Sequence, residues 1–392
     1  MMKLQNIHII DDTLDALANL VVENGLIQEV EILDGRPDSA QPVLLPAFTD
    51  LHAHFRDPGF TYKEDVVSGS RAAVRGGYTA VNLMPNTLPV VSSVAQAREV
   101  EDRIAALNLI HANQVVSMTL NEQGQDCSHL RSIPAGTIPF VSDDGKGVNR
   151  DDVMEEIFNI CKEKDFLIMA HEEDARYSPQ DLRMAENAMT FRDLTLCEKT
   201  GGSIHFCHVS TIESITAIAE AKAKGLRVSC EVCPHHIYFN AEQANYYRVA
   251  PPFRNDADID ALIKGMQDGT VDAISTDHAP HTPEDKANGA NGISGIETAF
   301  ALCYTKLVRG GYLTLNQLVK LMSTTPSAMM RLNKGAFKVG MKADFVKVDL
   351  NEPYIIRAEE FASRGKNTPF EGQQVWGRVL ETIREGKTVY KA

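Results

Sequence analysis

Residues 50–59 read DLHAHFRDPG. His52, His54 and Arg56 hold alternate positions, and in a β-strand residues two apart share a face. Two imidazoles at one spot suit a metal such as zinc, and a guanidinium suits a carboxylate. The triplet raises a metal site with an anionic substrate beside it. The plainer reading is a strand end with two hydrogen-bonded histidines. Metal-capable residues recur downstream: Asp143-Asp144 in SDDG, His171 in AHEE, His208 in HVST, and Asp277, His278 and His281 in TDHAPH. Taken singly, His171 and His208 read equally well as buried histidines bonded to backbone, and Asp277 as a turn cap.

Positioning them together requires a particular frame. Eight apolar, strand-like runs fall at 43–54, 80–85, 114–120, 137–144, 166–173, 203–210, 227–235 and 271–280. Helical periodicity occupies 62–77, 93–108, 151–165, 185–200, 211–225, 258–269 and 295–311, with a weak signal between the third and fourth strands. Eight alternating units predict an α/β fold, a (β/α)8 TIM-type barrel over 43–334. A doubly wound sheet would more naturally carry a glycine-rich phosphate loop after its first strand, and none follows. Residues 1–42 and 335–392 read instead as short strands, with turns at ENG (23–25) and DGRP (34–37). They predict a small β-sandwich domain formed by both chain ends, reached through a helical bridge at 314–332.

In such a barrel the chemistry sits at the C-terminal ends of the strands. Strands one, four, five, six and eight carry the histidines and aspartates there. Four imidazoles and two carboxylates exceed the need of one tetrahedral zinc and suffice for two. A metal pair lowers the pKa of water from about 15.7 toward about 7 and polarises a carbonyl, which equips a site to attack an amide-type bond. A nearby Asp can shuttle the proton to the leaving nitrogen. Asp143 and Asp144 face opposite sides of a regular strand, so one of them reaches the site. Lys146, if carboxylated, is an alternative bridge, but it lies past the strand end in a Gly-flanked turn, and an Asp is preferred. CEVC (230–233) has the look of a redox or zinc pair, yet residues three apart on a strand face opposite ways.

The bulk numbers narrow the class. Of 392 residues 23% are charged and 43% hydrophobic, as in ordinary globular proteins. A net charge of −14 argues against nucleic-acid or anionic-membrane partners. It leaves room for a small anionic substrate in a local cationic pocket. Seven scattered cysteines fit a reducing cytoplasm better than a disulfide framework. MMKLQNIHIIDD lacks a long apolar run behind a basic start, so no signal peptide is expected.

DLHAHFRDPG, LMPNT (83–87), SDDG (142–145), AHEED (170–174), HVST (208–211) and TDHAPH (276–281) together resemble the dihydroorotases of the amidohydrolase superfamily, in the bacterial branch with an Asp-bridged dinuclear zinc site. The resemblance implies that His52, His54 and Asp277 serve one Zn2+, that His171 and His208 serve the other, and that Asp144 is shared. It implies that Asp277 is also the proton shuttle, and that Arg56, Asn86 and His281 hold a substrate carboxylate. The implied reaction is reversible cyclisation of N-carbamoyl-L-aspartate to L-dihydroorotate in pyrimidine biosynthesis. The implied partners are a small molecule and, as a candidate assembly, a homodimer. Two departures bear on the substrate. VAPPFR places Ala250 where the family usually has Asn, and Asn291-Gly292 replaces a frequent aromatic-Gly pair. One lost hydrogen bond costs about 0.5–1.5 kcal/mol. Alternatives are another cyclic amidohydrolase, hydantoinase- or allantoinase-like, or a non-catalytic homologue serving as a structural partner.

Overall fold

The computed structural model describes residues 1–38 and 40–392. Phe48–Ala53, Tyr78–Leu83 and His111–Gln114 form a three-stranded parallel sheet. Val116–Ser117, Phe140–Ser142, Leu167–Ala170, Ser203–Phe206, Arg227–Val232 and Ala273–Ile274 follow as a six-stranded parallel sheet in chain order. Every residue of Phe48–Ala53 and Tyr78–Leu83 is buried. That is why these strands read as apolar runs without alternation: parallel strands are covered on both faces. The two sheets meet at Val115, whose N–H donates to Leu83 O at 2.9 Å. They meet again at the other border, where Ala53 bridges His278 in parallel and His54 N–H donates to His278 O at 2.8 Å. The buried Asp50 carboxylate reinforces that border by accepting from Thr276 N at 2.9 Å.

Helices Val66–Arg75, Val94–Ala105, Asp151–Lys164, Leu182–Thr200, Ile212–Ala223 and Asp256–Asp268 separate the strands. The first starts at Val66 rather than 62 because Asp65 caps it: Asp65 accepts from Ser68 N, and Ser68 Oγ accepts from Asp65 N. The weak helical signal between strands three and four corresponds to two short turns, Leu120–Glu122 and His129–Ser132. The helices expected over 295–311 and 314–332 are each interrupted by a π-turn, at Tyr304–Val308 and Lys320–Thr324.

One predicted strand divides in two. Residues 43–54 do not run through as a single strand, because Val43–Pro46 pairs with Met2–Ile10 and Phe345–Asp349 in a separate sheet. The chain passes between sheets at Ala47, whose N–H donates to Asp344 O at 3.0 Å. Both halves are buried, so hydropathy gives no mark of the break. The separate sheet has seven strands and interleaves both chain ends. Its order is Lys387–Lys391, Arg378–Arg384, Phe345–Asp349, Val43–Pro46, Met2–Ile10, Asp15–Glu23 and Leu26–Ile32. Asn24 and Gly25 turn the last hairpin at positive φ (52° and 79°), the conformation a two-residue type I′ loop demands. Ile9, Leu20, Ile27, Leu44, Phe345 and Ile383 fill the core of this sheet. An antiparallel bridge from Leu26 to Lys342 draws its far edge back toward its middle.

All seven cysteines are free and buried, Cys230 and Cys233 included. Among the described residues no helix is long and apolar enough to cross a membrane.

Candidate functional site

His52 is the penultimate residue of the parallel strand Phe48–Ala53, inside the protein, and His54 follows the strand's end. Their rings lie 5.4 Å apart. His171 and His208, just past Leu167–Ala170 and Ser203–Phe206, bring their rings to 4.9 and 5.2 Å from His52 and 5.0 Å from each other. Asp144 reaches His54 Nε2 at 3.2 Å, His171 Nε2 at 3.1 Å and His52 Nε2 at 3.8 Å. Asp277 reaches His54 Nε2 at 3.1 Å and His52 Nε2 at 3.6 Å. All six side chains predicted as metal ligands thus converge. Asp143 turns away and accepts from Thr119 N at 2.9 Å, so one of the two aspartates faces the cluster, as alternation requires. It is this carboxylate, rather than Lys146, that touches the histidines, although Lys146 lines the same cavity.

The backbone bends where these residues emerge. Arg56, His208 and Asp277 all take positive φ (56°, 36° and 44°). Non-glycine residues pay for that conformation, and it recurs at sites where a side chain must be aimed.

The remote ring nitrogens are held by other groups. His52 Nδ1 meets Glu231 Oε1 at 3.1 Å, His54 Nδ1 meets Asn86 Oδ1 at 3.0 Å, and His171 Nδ1 meets Ser142 Oγ at 3.1 Å. Each ring is thereby oriented with Nε2 toward the carboxylates. His52 and His171 bring these nitrogens to 3.4 Å from one another. Buried imidazole nitrogens facing each other and two carboxylates form a donor set fit for cations, and His52, His54 and Asp277 can share one.

The electrostatics of His171, His208 and the two aspartates agree with that donor set, whereas His52 is held well above its ordinary value, burial being outweighed by its hydrogen bonds with Asp144, Cys207 and Glu231, so that a bound cation would displace its second proton. Burial pushes His171 and His208 down to about 4, which keeps them neutral with a lone pair to offer. Burial alone would raise Asp144, but His171, His54 and His52 outweigh it and hold the carboxyl well below its usual range. Asp277 is likewise lowered: burial opposes, and the hydrogen bond from His54 with the His52 ring prevails.

A cavity of about 420 Å³ opens over the cluster. It is lined by the ligand candidates other than His52 and by Arg56, Asn86, Ala250, His281, Asn291 and Gly292, every residue predicted to face substrate. Arg56 Nη2 lies 3.3 Å from His281 Nε2, and Lys63 Nζ lies 3.4 Å from His281 Nδ1. Burial and then these two cations push His281 down to about 3. Asn86 has a second task. Its Nδ2 donates to Asp144 at 2.8 Å while its Oδ1 meets His54, which leaves one N–H for another acceptor.

Two supporting residues escaped the reading of the sequence. Glu231 sits between the cysteines of CEVC, where attention to the thiols hid it. It accepts from His52 and, through Oε2, contacts His205 Nε2 at 3.1 Å. Burial opposes its ionisation, yet His205 and His52 hold it well below a normal carboxyl. Asn367 lies far along the chain in a segment with no chemical signature. Its Oδ1 accepts from His281 N at 2.9 Å and from Ser294 Oγ at 2.7 Å, and its Nδ2 donates to Ala279 O and Gly292 O at 3.1 and 3.0 Å.

The profile of the amidohydrolase family matches residues 43–389. A dihydroorotase of Clostridium botulinum (strain Eklund 17B / Type B) is 44% identical over 398 residues, covering 99% of this chain and 99% of that protein. A dihydroorotase of Ruminiclostridium cellulolyticum is 35% identical over 423 residues, covering 99% and 98%. Among solved structures, an L-hydantoinase (dihydropyrimidinase) from Arthrobacter aurescens superposes with a TM-score of 0.86 at 23% identity, covering 99% of this chain and 96% of that one. A D-hydantoinase superposes with a TM-score of 0.87 at 22% identity, covering 99% and 95%. At such identities the structural likeness speaks for the fold alone.

Proposed function

The chain belongs to the amidohydrolase family, and from that premise we propose that it is a zinc-dependent dihydroorotase. It interconverts N-carbamoyl-L-aspartate and L-dihydroorotate in pyrimidine biosynthesis. Its parallel strands are read as one (β/α)8 barrel, a reading supported by the Ala53–His278 bridge. The chain ends are read as a small β-sandwich domain, supported by the Leu26–Lys342 bridge, with Val43–Pro46 counted in it by pairing.

His52, His54 and Asp277 would hold one zinc, His171 and His208 the other, with Asp144 between them. When bound, the pair supplies Lewis acidity, acidifying a water and polarising the scissile carbonyl. The protein's own groups do the rest. Glu231, Asn86 and Ser142 fix the rings of His52, His54 and His171. Asp277, ionised and at the cavity wall, takes the proton from the ureide nitrogen as the ring closes and returns it to the leaving nitrogen as the ring opens. Arg56 offers its planar fork to the substrate carboxylate, with Asn86 and His281 beside it. His281, held neutral between Arg56 and Lys63, adds no third positive charge. Ala250, Asn291 and Gly292 form the wall along which the ring lies.

The observation that carries this reading is Arg56. It places a half-buried guanidinium in the same cavity as the histidine and aspartate cluster, which an uncharged ring would not use. Purified protein loaded with zinc is expected to convert carbamoyl aspartate to dihydroorotate and back. Protein that ignores both while opening uncharged hydantoins would be a hydantoinase-like enzyme, and the reading would be wrong.

A further inference from the structure

One wall of the cavity has a donor with no assigned task. Val249, Ala250, Pro251 and Pro252 bring no side-chain hydrogen-bonding group to it. Arg248, two residues before Ala250, lines the same cavity and is exposed at its mouth. Its backbone joins two loops: its carbonyl accepts from Gly292 N at 3.2 Å and from Lys286 Nζ at 2.8 Å. Its guanidinium lies over Gly289. A Cβ there would come within 3.3 Å of Cζ and Nη1, and Gly289 sits at φ +87°. Among the described residues no hydrogen bond or ion pair engages this guanidinium.

We propose that Arg248 is a specificity residue that donates to the ureide carbonyl oxygen of the substrate, the oxygen between the two nitrogens. The proposal rests on the cyclic-amide reading above. In a dihydroorotate-like ring the carboxylate is matched by Arg56, and the scissile amide must lie at Asp277 and the histidines. The ureide oxygen is the acceptor left over, and the 248–252 wall has one side chain able to meet it. Arg248 carries five N–H donors in a rigid fork and has no competing carboxylate. The ureide oxygen is present in the open chain and the closed ring alike. It is also present in rings that lack a carboxylate, so this contact and that of Arg56 are separable.

The test uses full-length, zinc-loaded protein and steady-state kinetics on carbamoyl aspartate, dihydroorotate and dihydrouracil. Arg248→Met is expected to raise KM about tenfold or more for every one of these compounds that the wild type turns over, the loss expected for a hydrogen bond from a charged donor. Its kcat is expected to stay within about twofold, because no reacting atom is touched. Arg248→Met combined with Ala250→Asn, which returns a short donor to the same wall, is expected to recover part of the KM. Unchanged KM in Arg248→Met would overturn the proposal. So would a loss confined to kcat, or a KM effect confined to the compounds that carry a carboxylate. Wild-type turnover of dihydroorotate reports on the function itself. The ratio of variant to wild-type KM reports on Arg248, and it can be read on whichever ring the wild type opens.

Discussion

Replacing Glu231 with Gln tests how the site is aimed. The carboxylate is fully buried, with Oε1 3.1 Å from His52 Nδ1 and Oε2 3.1 Å from His205 Nε2, and it also accepts from Ser275 Oγ. As an acceptor-only group it keeps a His52 proton on Nδ1, so that in the zinc-loaded protein the Nε2 facing Asp144 and Asp277 is the nitrogen left to ligate. Glutamine has the same shape, but one of its ends is a donor. If the amide nitrogen faces His52, that ring must change tautomer, and its lone pair turns away from the metal. If it faces His205 and Ser275, His205 must shift its proton to Nδ1 or Ser275 must turn its hydroxyl to accept, and the two cannot both keep the bonds they make to the carboxylate. Losing such a partner to a ligating histidine costs about 10–100-fold in metal affinity, or about 1.4–2.7 kcal/mol. A buried hydrogen-bonding group left unpaired costs the fold about 1–3 kcal/mol more. The assay is zinc retained against rising chelator, read beside thermal unfolding of the same sample. Glu231→Gln should stay folded and release zinc at the lower chelator concentration. A variant that melts earlier yet holds zinc as tightly as the wild type would refute the positioning role and leave Glu231 a stability residue.

Asp277→Asn should abolish turnover, since an amide cannot carry the proton, while the circular dichroism spectrum is unchanged; full activity would remove the shuttle role. Asn367→Ala strips partners from His281 N, Ser294 Oγ, Ala279 O and Gly292 O at once. It should lower stability by about 1–3 kcal/mol and raise KM for the carboxylated substrate, and equal KM in variant and wild type would show that His281 keeps its place without it. Lys334 tests pH dependence away from the site. Burial lowers its ammonium to about 8, with Asp344 opposing, although its Nζ donates to Thr79 Oγ1 at 2.7 Å. Because the folded value lies below the unfolded one of about 10.4, the unfolded chain binds more protons between those values. The penalty is therefore complete below about pH 8 and fades as pH rises. Measured by urea midpoints, wild type should gain on Lys334→Met by up to about 3 kcal/mol between about pH 7.5 and pH 10.5. A gap independent of pH would contradict this.

The alternation of strand and helix from residue 43 onward was legible because parallel strands bury both faces and because residues such as Asp65 and Gly76 punctuate the helices. That four histidines and two carboxylates gather at one rim was legible because strand ends carry them, so that residues far apart in sequence needed no pairing information; the choice of Asp144 over Asp143 came with the family resemblance. The break at Ala47 was not legible: VLLP and FTDLHA are apolar and buried alike, and only pairing partners distinguish them. The eighth strand was overdrawn. Ala273–Ile274 is all that pairs as a strand, and past Asp277, where the chain turns at φ 44°, His278 pairs only through isolated bridges. Glu231 and Asn367 act through hydrogen bonds to residues distant in sequence, and neither their type nor their neighbours announces that. Asn86 shows an intermediate case. Its presence at the site was expected, whereas its grip on His54 and Asp144 depends on a side-chain geometry that no local pattern encodes.

The most direct measurement is to strip the protein with chelator and titrate zinc back while following dihydroorotate formation and zinc content together. Turnover should vanish on stripping and return in proportion to zinc, levelling off when a pair of ions is bound per chain, with His171→Ala unable to complete the pair. Undiminished ring closure by fully stripped protein, or full recovery in His171→Ala, would contradict a metal pair held by these histidines and aspartates.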